Sequence, residues 1–280
     1  MRFSPHALPA LALVAAASFA QADTPASVSA TLTGFQLQLL DLTPDDGIAA
    51  SLTSAPGRQV LAGLQTDARW LTDPSPLSID QRFSLDTFAT APPPGGDAVA
   101  LTVAGMSGSA ARAGAGLAAT VTGADGLATQ SHAWWETVKA NTQASDGTPQ
   151  WTGSFELGAG SAVTLTADYR VAASIAAWQG GAVIATAALH GFVGTVVAGD
   201  VQRDQGMASL AAPGEQSFAG TLTLTLSNPS ALAVPVYFGA LASTYTEAPS
   251  PVPEPATLLM LLAGGGLVGW RTRGRRLSPA

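Results

Sequence analysis

The sequence predicts an all-β fold for the body of the chain, built as an antiparallel β-sandwich. The first observation is a strict alternation of apolar and polar residues in several segments, which is typical of strands with one buried and one solvated face. The second is the spacing of Gly, Pro and Asp clusters, which separates these segments as the turns of a sandwich do. Only 11% of the residues are charged, so Thr, Ser, Gln and Gly must cover most of the solvated surface.

Five segments show the alternation most clearly. They are residues 28–39, 77–85, 99–103, 161–171 and 221–227. The last is fully regular, because Leu222, Leu224 and Leu226 share one face. In the second segment we expect Leu77 on the inward face. In the first, the inward phase changes at Gly34, which predicts a glycine bulge.

Turn signals separate these strands. They fall at residues 44–47, 55–57, 73–76, 92–96, 146–147 and 212–214. The alanine-rich segment 171–190 fits a helix or two strands, and Gly180-Gly181 in its middle favours a hairpin of two strands. Residues 131–140 also fit either a helix or a strand. Residues 114–119 imitate a dinucleotide-binding fingerprint without its βαβ context, so we interpret them as a flexible loop.

The body of the chain, residues 23–250, is acidic. It contains 18 acidic and 7 basic side chains, a net charge of −11. This charge argues against binding of nucleic acid or of anionic lipid headgroups. The length allows one large or two small domains, and we predict a single β-sandwich ectodomain. The chain has no cysteine, so the fold uses no disulfide.

The N-terminus is predicted to be a cleavable signal peptide, residues 1–22. Arg2 gives a positively charged start, residues 7–19 form an apolar segment, and Ala20-Gln21-Ala22 has the A-x-A form of a signal-peptidase site. We expect cleavage after Ala22. The alternative, an N-terminal membrane anchor, is disfavoured because the apolar segment is short for a membrane span.

The C-terminal segment, residues 251–280, predicts a short transmembrane helix. Fifteen almost wholly apolar residues run from Ala256 to Trp270, about 22 Å as a helix against about 30 Å of hydrocarbon. The lipid-facing residues would be Leu258, Leu259, Leu261, Leu262, Leu267, Val268 and Trp270. The basic cap that follows, which predicts a cytoplasmic end, consists of Arg271, Arg273, Arg275 and Arg276. A plain stop-transfer anchor or a buried hairpin helix would give the same apolar run.

The order of these elements carries a resemblance. Pro253, Glu254 and Pro255, followed by the apolar run and the Arg cluster, resemble the PEP-CTERM sorting signal. The resemblance implies recognition of these three residues by an exosortase, a membrane protease-transpeptidase, in a Gram-negative bacterium that makes exopolysaccharide. The catalytic cysteine would belong to that enzyme. Residues 277–280 extend beyond the arginines and depart from the pattern only slightly.

Few residues indicate chemistry, and we predict no catalytic site, no metal site and no cofactor. His132 and His190 lack a second His or Cys at metal-ligand spacing, and no G-x-S-x-G nucleophile motif is present. Asp41, Asp45 and Asp46 are the best ion candidates. They fit either a calcium site or, as we favour, a β-turn whose aspartates accept backbone N–H bonds and whose Gly47 has positive φ.

Two adjacent tryptophans give a hint of binding. Trp134 and Trp135 must face opposite sides of a sheet if they lie in a strand, so one can fill the core while the other stacks on a sugar ring. Packing is the plainer interpretation of both.

Taken together, these features lead us to expect an exported, non-enzymatic cell-surface or matrix protein whose partners are an exosortase, the membrane before processing and an exopolysaccharide. A carbohydrate- or calcium-binding adhesive module and an exported hydrolase are the alternatives.

Overall fold

The computed structural model describes most of the body. The described residues are 26–54, 60–70, 73–85, 95–103, 106–114, 116–123, 127–137, 139–143, 149–153, 155–176, 181–197 and 201–247. Within these ranges the chain forms strands and no helix, so the all-β prediction is confirmed.

The strands are numbered in chain order. They are β1 (Ala26–Asp41), β2 (Leu52–Ser54), β3 (Val60–Trp70), β4 (Asp73–Leu85), β5 (Gly95–Val103), β6 (Met106–Gly114), β7 (Gly116–Gly123), β8 (Leu127–Thr137), β9 (Lys139–Gln143), β10 (Pro149–Gly153), β11 (Phe155–Leu157), β12 (Ser161–Ile175), β13 (Ala182–Val193), β14 (Thr195–Val197), β15 (Gln202–Leu210), β16 (Gly214–Asn228) and β17 (Val234–Glu247).

Two large antiparallel sheets form the sandwich. The six-stranded sheet has the order β16-β12-β1-β7-β6-β5. The eight-stranded sheet has the order β15-β13-β17-β8-β3-β4, with β11 beside β17 and β2 beside β11. A single large cluster of buried apolar residues draws on strands of both sheets. The chain passes repeatedly from one sheet to the other, as between β7 and β8, so the core is built from residues far apart in sequence.

The alternating segments lie as the sequence predicts. In β16, Leu222, Leu224 and Leu226 are buried, while Thr223 and Thr225 are exposed. Each leucine that enters the core contributes about 1.5–3 kcal/mol relative to an exposed position. The exposed threonines fit the pleated, solvated face through their β-branched side chains.

The glycine bulge in β1 is also confirmed. Pairing of β1 with β12 shifts between Thr33 and Gln36, and Gly34 has φ of +62°. A Cβ on Gly34 would lie 3.2 Å from an Asp168 carboxylate oxygen, so both backbone conformation and space favour glycine. The extra residue moves the inward-facing side chains from even to odd positions, since Leu32 before the bulge and Phe35 after it are both buried.

One expectation about β4 is wrong, and a second is correct for the face of the strand but not for the degree of burial. Residues 73–76 were expected to be a turn but belong to the strand, because β4 is the edge of its sheet and an edge strand tolerates proline. Leu77, which was expected on the inward face, is 49% exposed. Leu77 pairs with the buried Ala68, so its face was predicted correctly. Its position in the edge strand leaves it in contact with solvent.

Residues 171–190 form two strands but not a hairpin. β12 belongs to the six-stranded sheet and β13 pairs with β15 and β17 in the other sheet. The connection therefore crosses between sheets, which local alternation cannot reveal.

The expected loop at residues 114–119 is also wrong, because Gly116–Gly123 is a strand paired with both β1 and β6. Residues 131–140, left open by the sequence, lie largely in strands β8 and β9.

The other five predicted turns divide into three groups. Residues 44–47 form a turn, and residues 211–213 form the bend that leads from β15 into β16. Of the predicted loop at 92–96, Gly95 and Gly96 belong to β5, and residues 92–94 lie outside the described residues. The turn signals at 55–57 and 146–147 lie outside the described residues.

One part of the interior is polar. Thr66, Thr129, Ser131, Thr244 and Thr246 are buried on the inner faces of β3, β8 and β17. Thr66 and Ser131 join their hydroxyls in a hydrogen bond. Gly108 of β6 faces this pair, and a Cβ there would lie 2.6 Å from the Thr66 hydroxyl oxygen. The missing side chain at Gly108 therefore provides the space for these hydroxyls.

Both chain ends of the described body emerge at one end of the sandwich. Ala26 pairs with Gly123, Glu247 pairs with Ala128, and only residues 124–126 separate β7 from β8. Loops 42–51, 158–160 and 229–233 lie at the opposite end. Backbone hydrogen bonds from Leu42 N to Gly160 O (2.7 Å) and from Gly160 N to Ser230 O (3.1 Å) hold these loops together.

The alternation in β16 predicts a contrast between neighbouring substitutions. Leu224→Ala should lower the free energy of unfolding by about 2–5 kcal/mol, because it leaves a cavity between the sheets. Thr223→Ala, on the solvated face, should change it by less than about 1 kcal/mol. Urea unfolding followed by tryptophan fluorescence measures both, and equal losses in the two variants would contradict the assigned faces.

Candidate functional site

The two adjacent tryptophans of β8 lie on opposite faces of the eight-stranded sheet. Trp135 is 1% exposed and packs edge-on against Phe35 and Phe238, with ring centroids 5.4 and 6.4 Å away. Trp134 is half-buried on the outer face. Trp135 is thus a core residue, and Trp134 alone of the pair reaches solvent.

Trp134 lies over a glycine of the neighbouring strand. Gly63 of β3 pairs with Trp134, and a Cβ on Gly63 would lie 2.3 Å from two carbons of the indole ring. Any larger residue at position 63 would push the ring away from the sheet. The glycine therefore lets the indole rest against the β3 backbone, and part of the ring remains accessible.

A row of polar side chains continues from Trp134 along β8 and β3. We call it the polar strip; its members are Gln65, Asp67, Gln130 and His132. Gln65 faces His132 and Asp67 faces Gln130 in the strand register. Asp67 accepts hydrogen bonds from Gln65 Nε2 at 2.7 Å and from Gln130 Nε2 at 2.9 Å. The carboxylate thereby fixes both amides in place.

His132 is neutral at neutral pH. Burial lowers the pKa of its imidazole, and the nearby Asp67 carboxylate opposes this effect without cancelling it. A neutral imidazole presents one N–H donor and one acceptor nitrogen. That combination suits hydrogen bonding with hydroxyl groups rather than with ions.

Tyr245 of β17 lies at the far end of the polar strip, opposite Gln130. Its hydroxyl donates a hydrogen bond to the Glu247 carboxylate. Burial and the bond to Glu247 raise the pKa of Tyr245, and Arg69 acts in the opposite direction. The ring is half-buried on the same outer face as Trp134, and nothing in the local sequence pattern singled it out.

A second hydrogen-bonded group lies on the other side of Trp134. Tyr237 donates a hydrogen bond to the Glu136 carboxylate, and His190 Nε2 is 3.2 Å from the Tyr237 hydroxyl. Burial, and then the negative charge of Glu136, raise the pKa of Tyr237. Phe192 stacks on the Tyr237 ring at 5.1 Å. The group links β8, β17 and β13 and gives His190 a structural partner.

A small third sheet, in the order β14-β10-β9, comes close to this group. A Cβ on Gly153 of β10 would lie 2.0 Å from the backbone carbonyl of Val236, so the two backbones are in direct contact. Phe192 and Tyr237 form their own buried cluster here, apart from the main core.

Asp45 and Asp46 lie in the turn that the sequence predicts, and Asp41 ends β1 just before it. Asp41 accepts the Thr43 N–H at 2.9 Å, and Asp46 accepts the Thr43 hydroxyl and the Ile48 N–H, each at 2.7 Å. The Thr43 hydroxyl and then the Ile48 N–H lower the pKa of Asp46, and Gly47 has φ of +74°. Across the described ranges no group of three or more His, Asp and Glu residues is arranged to hold a metal ion.

The outer face of the six-stranded sheet carries a shallow groove of about 550 Å³. Its lining is rich in hydroxyl groups, from Ser27, Ser29, Thr120, Thr122, Ser174 and Ser217. The groove contains no aromatic side chain among its lining residues. It offers hydrogen bonds without a stacking surface, unlike the face around Trp134.

The terminal site residues lie outside the described residues. This applies to Ala20 and Ala22 of the signal-peptidase site, to Pro253, Glu254 and Pro255, and to the apolar run with its Arg cap. In the part of the chain that the structure describes, no helix has both the length and the apolar character to cross a membrane.

Comparison with known proteins identifies one segment of the chain. A family model described as the PEP-CTERM protein-sorting motif matches residues 251–276. No curated protein is significantly similar to the chain in sequence. One matching solved structure, from work on carbohydrate-binding modules of the β-sandwich superfamily, is 11% identical and covers 77% of this chain and 97% of its own. Its TM-score is 0.11, which is too low to indicate a shared fold or function.

The environment of His132 predicts a pH dependence of stability. Its pKa is below the ordinary 6.5 in the folded chain, so the unfolded chain binds a proton first as the pH falls. The contribution of His132 to the free energy of unfolding should therefore be fully present above about pH 6.5, and the free energy of unfolding should decrease as the pH falls below that value. His132→Gln should reduce this decrease, as measured by urea unfolding at pH 7.5 and 5.5. An identical decrease in the variant would contradict the assigned environment.

Proposed function

We propose that the chain, whose residues 251–276 match the PEP-CTERM protein-sorting motif, is an exported surface or matrix protein of a Gram-negative bacterium. Signal peptidase removes residues 1–22. The apolar run from Ala256 to Trp270 holds the protein in the inner membrane, with the Arg cap in the cytoplasm. An exosortase-like enzyme then cuts near Pro253–Pro255 and delivers the body, residues 23–250, to the cell surface or the exterior.

The proposed role of the body is non-enzymatic. The contacts of its two histidines support this, since His190 interacts with Tyr237 and His132 lies beside Asp67 in the polar strip. An exported hydrolase is the less favoured alternative. Hydrolysis of a polysaccharide or ester by the purified protein, abolished in His132→Gln or His190→Gln, would replace the non-enzymatic proposal.

The sorting proposal predicts the composition of the mature protein. In the native host, the mature product should begin at Asp23 and lack the Arg cap, as intact mass would show. Simultaneous replacement of Pro253, Glu254 and Pro255 by alanine should leave the cap in place and keep the protein in the membrane fraction. Leu277→Ala, beyond the matched motif, is the control and should be processed normally. A mature protein that retains its arginines and is dissolved in the cytosol would refute the proposal.

A second candidate function is that of a carbohydrate-binding adhesive module. One observation favours it: the Trp134 indole rests on Gly63 and remains partly accessible on the outer face. An aromatic ring held in place by the sheet offers an apolar surface to the C–H groups of a sugar at little entropic cost. The polar strip beside it supplies hydrogen-bonding groups for the sugar hydroxyls.

The adhesive candidate predicts retention on immobilised exopolysaccharide from the host. Trp134→Ala should weaken retention about tenfold, equivalent to ~1.4 kcal/mol, because the stacking surface is lost. Trp134→Phe should retain most of the binding. Phe218→Ala removes an exposed aromatic residue of the other sheet and should have no effect. No retention of the unmodified protein would eliminate this candidate and leave the sorting proposal intact.

A further inference from the structure

The face around Trp134 is longer than a single sugar would need. Trp134, His132 and Gln130 occupy successive outward positions of β8, and Gln65 and Asp67 run beside them on β3. Tyr245 faces Gln130 from β17, on the opposite side of β8. Four residues along a strand span about 13 Å. Two aromatic rings thus stand at the two ends of one row of polar groups.

The groups between the rings suit hydroxyls in particular. Both amides of the polar strip donate one N–H to Asp67, and each amide has a second N–H and a carbonyl oxygen besides. The neutral His132 adds a donor and an acceptor. The strip therefore carries both donors and acceptors. The hydrogen bonds to Asp67 hold its amides in a fixed geometry before any ligand arrives, which lowers the entropic cost of binding.

The charges on this face disfavour anionic ligands. Asp67, Glu136 and Glu247 place three carboxylates on it, with Arg69 close to Tyr245 and Glu247. The net charge of −11 on the body adds a repulsive long-range field. A chain of uronic acids or of sulfated sugars would have to approach against this field, whereas an uncharged sugar chain would not.

We propose that this face binds a linear, uncharged polysaccharide strand lying along β8, with one sugar ring on Trp134 and another beside Tyr245. The polar strip binds the hydroxyls of the sugars between them. This inference rests on the carbohydrate-binding candidate above and specifies its ligand class and its direction on the sheet. The hydroxyl-lined groove of the six-stranded sheet is the competing location, and its lack of an aromatic residue makes it the natural control.

Ligand class can be tested by affinity electrophoresis of the full-length protein in detergent. The gels contain either hydroxyethyl cellulose, a linear neutral glucan, or alginate, a linear polyuronate. We expect retardation in the neutral gel and at least tenfold weaker retardation in alginate. Equal retardation in the two gels, or stronger retardation in alginate, would overturn the assignment of an uncharged ligand.

Direction on the sheet can be tested with neutral oligosaccharides of increasing length. The affinity of the unmodified protein should rise with length until both rings are reached and then level off. Tyr245→Ala should remove the gain in affinity from the longer oligosaccharides, whereas Trp134→Ala should weaken the binding of oligosaccharides of every length. Gln130→Ala should reduce the gain several-fold. A merely structural role of Tyr245 would not produce such dependence on length.

Controls separate the possible failures. Thr122→Ala, in the groove of the six-stranded sheet, should not change any affinity, and the urea midpoint of each variant verifies folding. Loss of binding in Thr122→Ala with full binding in Tyr245→Ala would move the site to the other sheet and refute the inference. Binding that depends on Trp134 without any gain from length would refute only the extended face. No binding to any glycan would refute the adhesive candidate as well.

Discussion

The packing of Trp135 between Phe35 and Phe238 fixes the phase of β8, and the outer face of the sheet depends on that phase. Because side chains alternate along a strand, a buried Trp135 obliges Trp134, His132 and Gln130 to point outward. Phe35 reaches the core through the Gly34 bulge, so a glycine in the other sheet helps to hold this arrangement. A slip of one residue in β8 would exchange the core tryptophan for the surface one.

Local patterns predicted the elements well and their partners poorly. The alternation in β16 and the phase change at Gly34 are local properties, and the structure confirms both. Leu77 was placed on the right face, but sequence alone does not show that β4 is an edge strand. The sequence of residues 171–190 predicted two strands correctly. Whether these two strands pair with each other or join different sheets is decided by contacts with residues far along the chain.

The candidate site shows the same division. Adjacent tryptophans revealed from the sequence that one of them could face solvent. The glycine beneath Trp134 is 71 positions away in the chain, and Tyr245 is a further strand across, so their juxtaposition follows only from the register of β3, β8 and β17. Asp67 likewise has no local motif, since its role depends on two glutamines of which one belongs to another strand. The sorting segment, in contrast, is contiguous and could be recognised directly.

The placement of Ala26 and Glu247 at one end of the sandwich has a mechanical consequence. β17 is bonded on one side to β13 and on the other to β8. If the body is tethered through residues that follow Glu247, the force enters at the end of β17, and its component along the strand loads both ladders of hydrogen bonds in shear. All of these bonds then share the load, whereas an edge strand pulled sideways would open bond by bond like a zipper. A tethered sandwich of this topology would resist drag from a surrounding polymer while its distal loops remain free of strain.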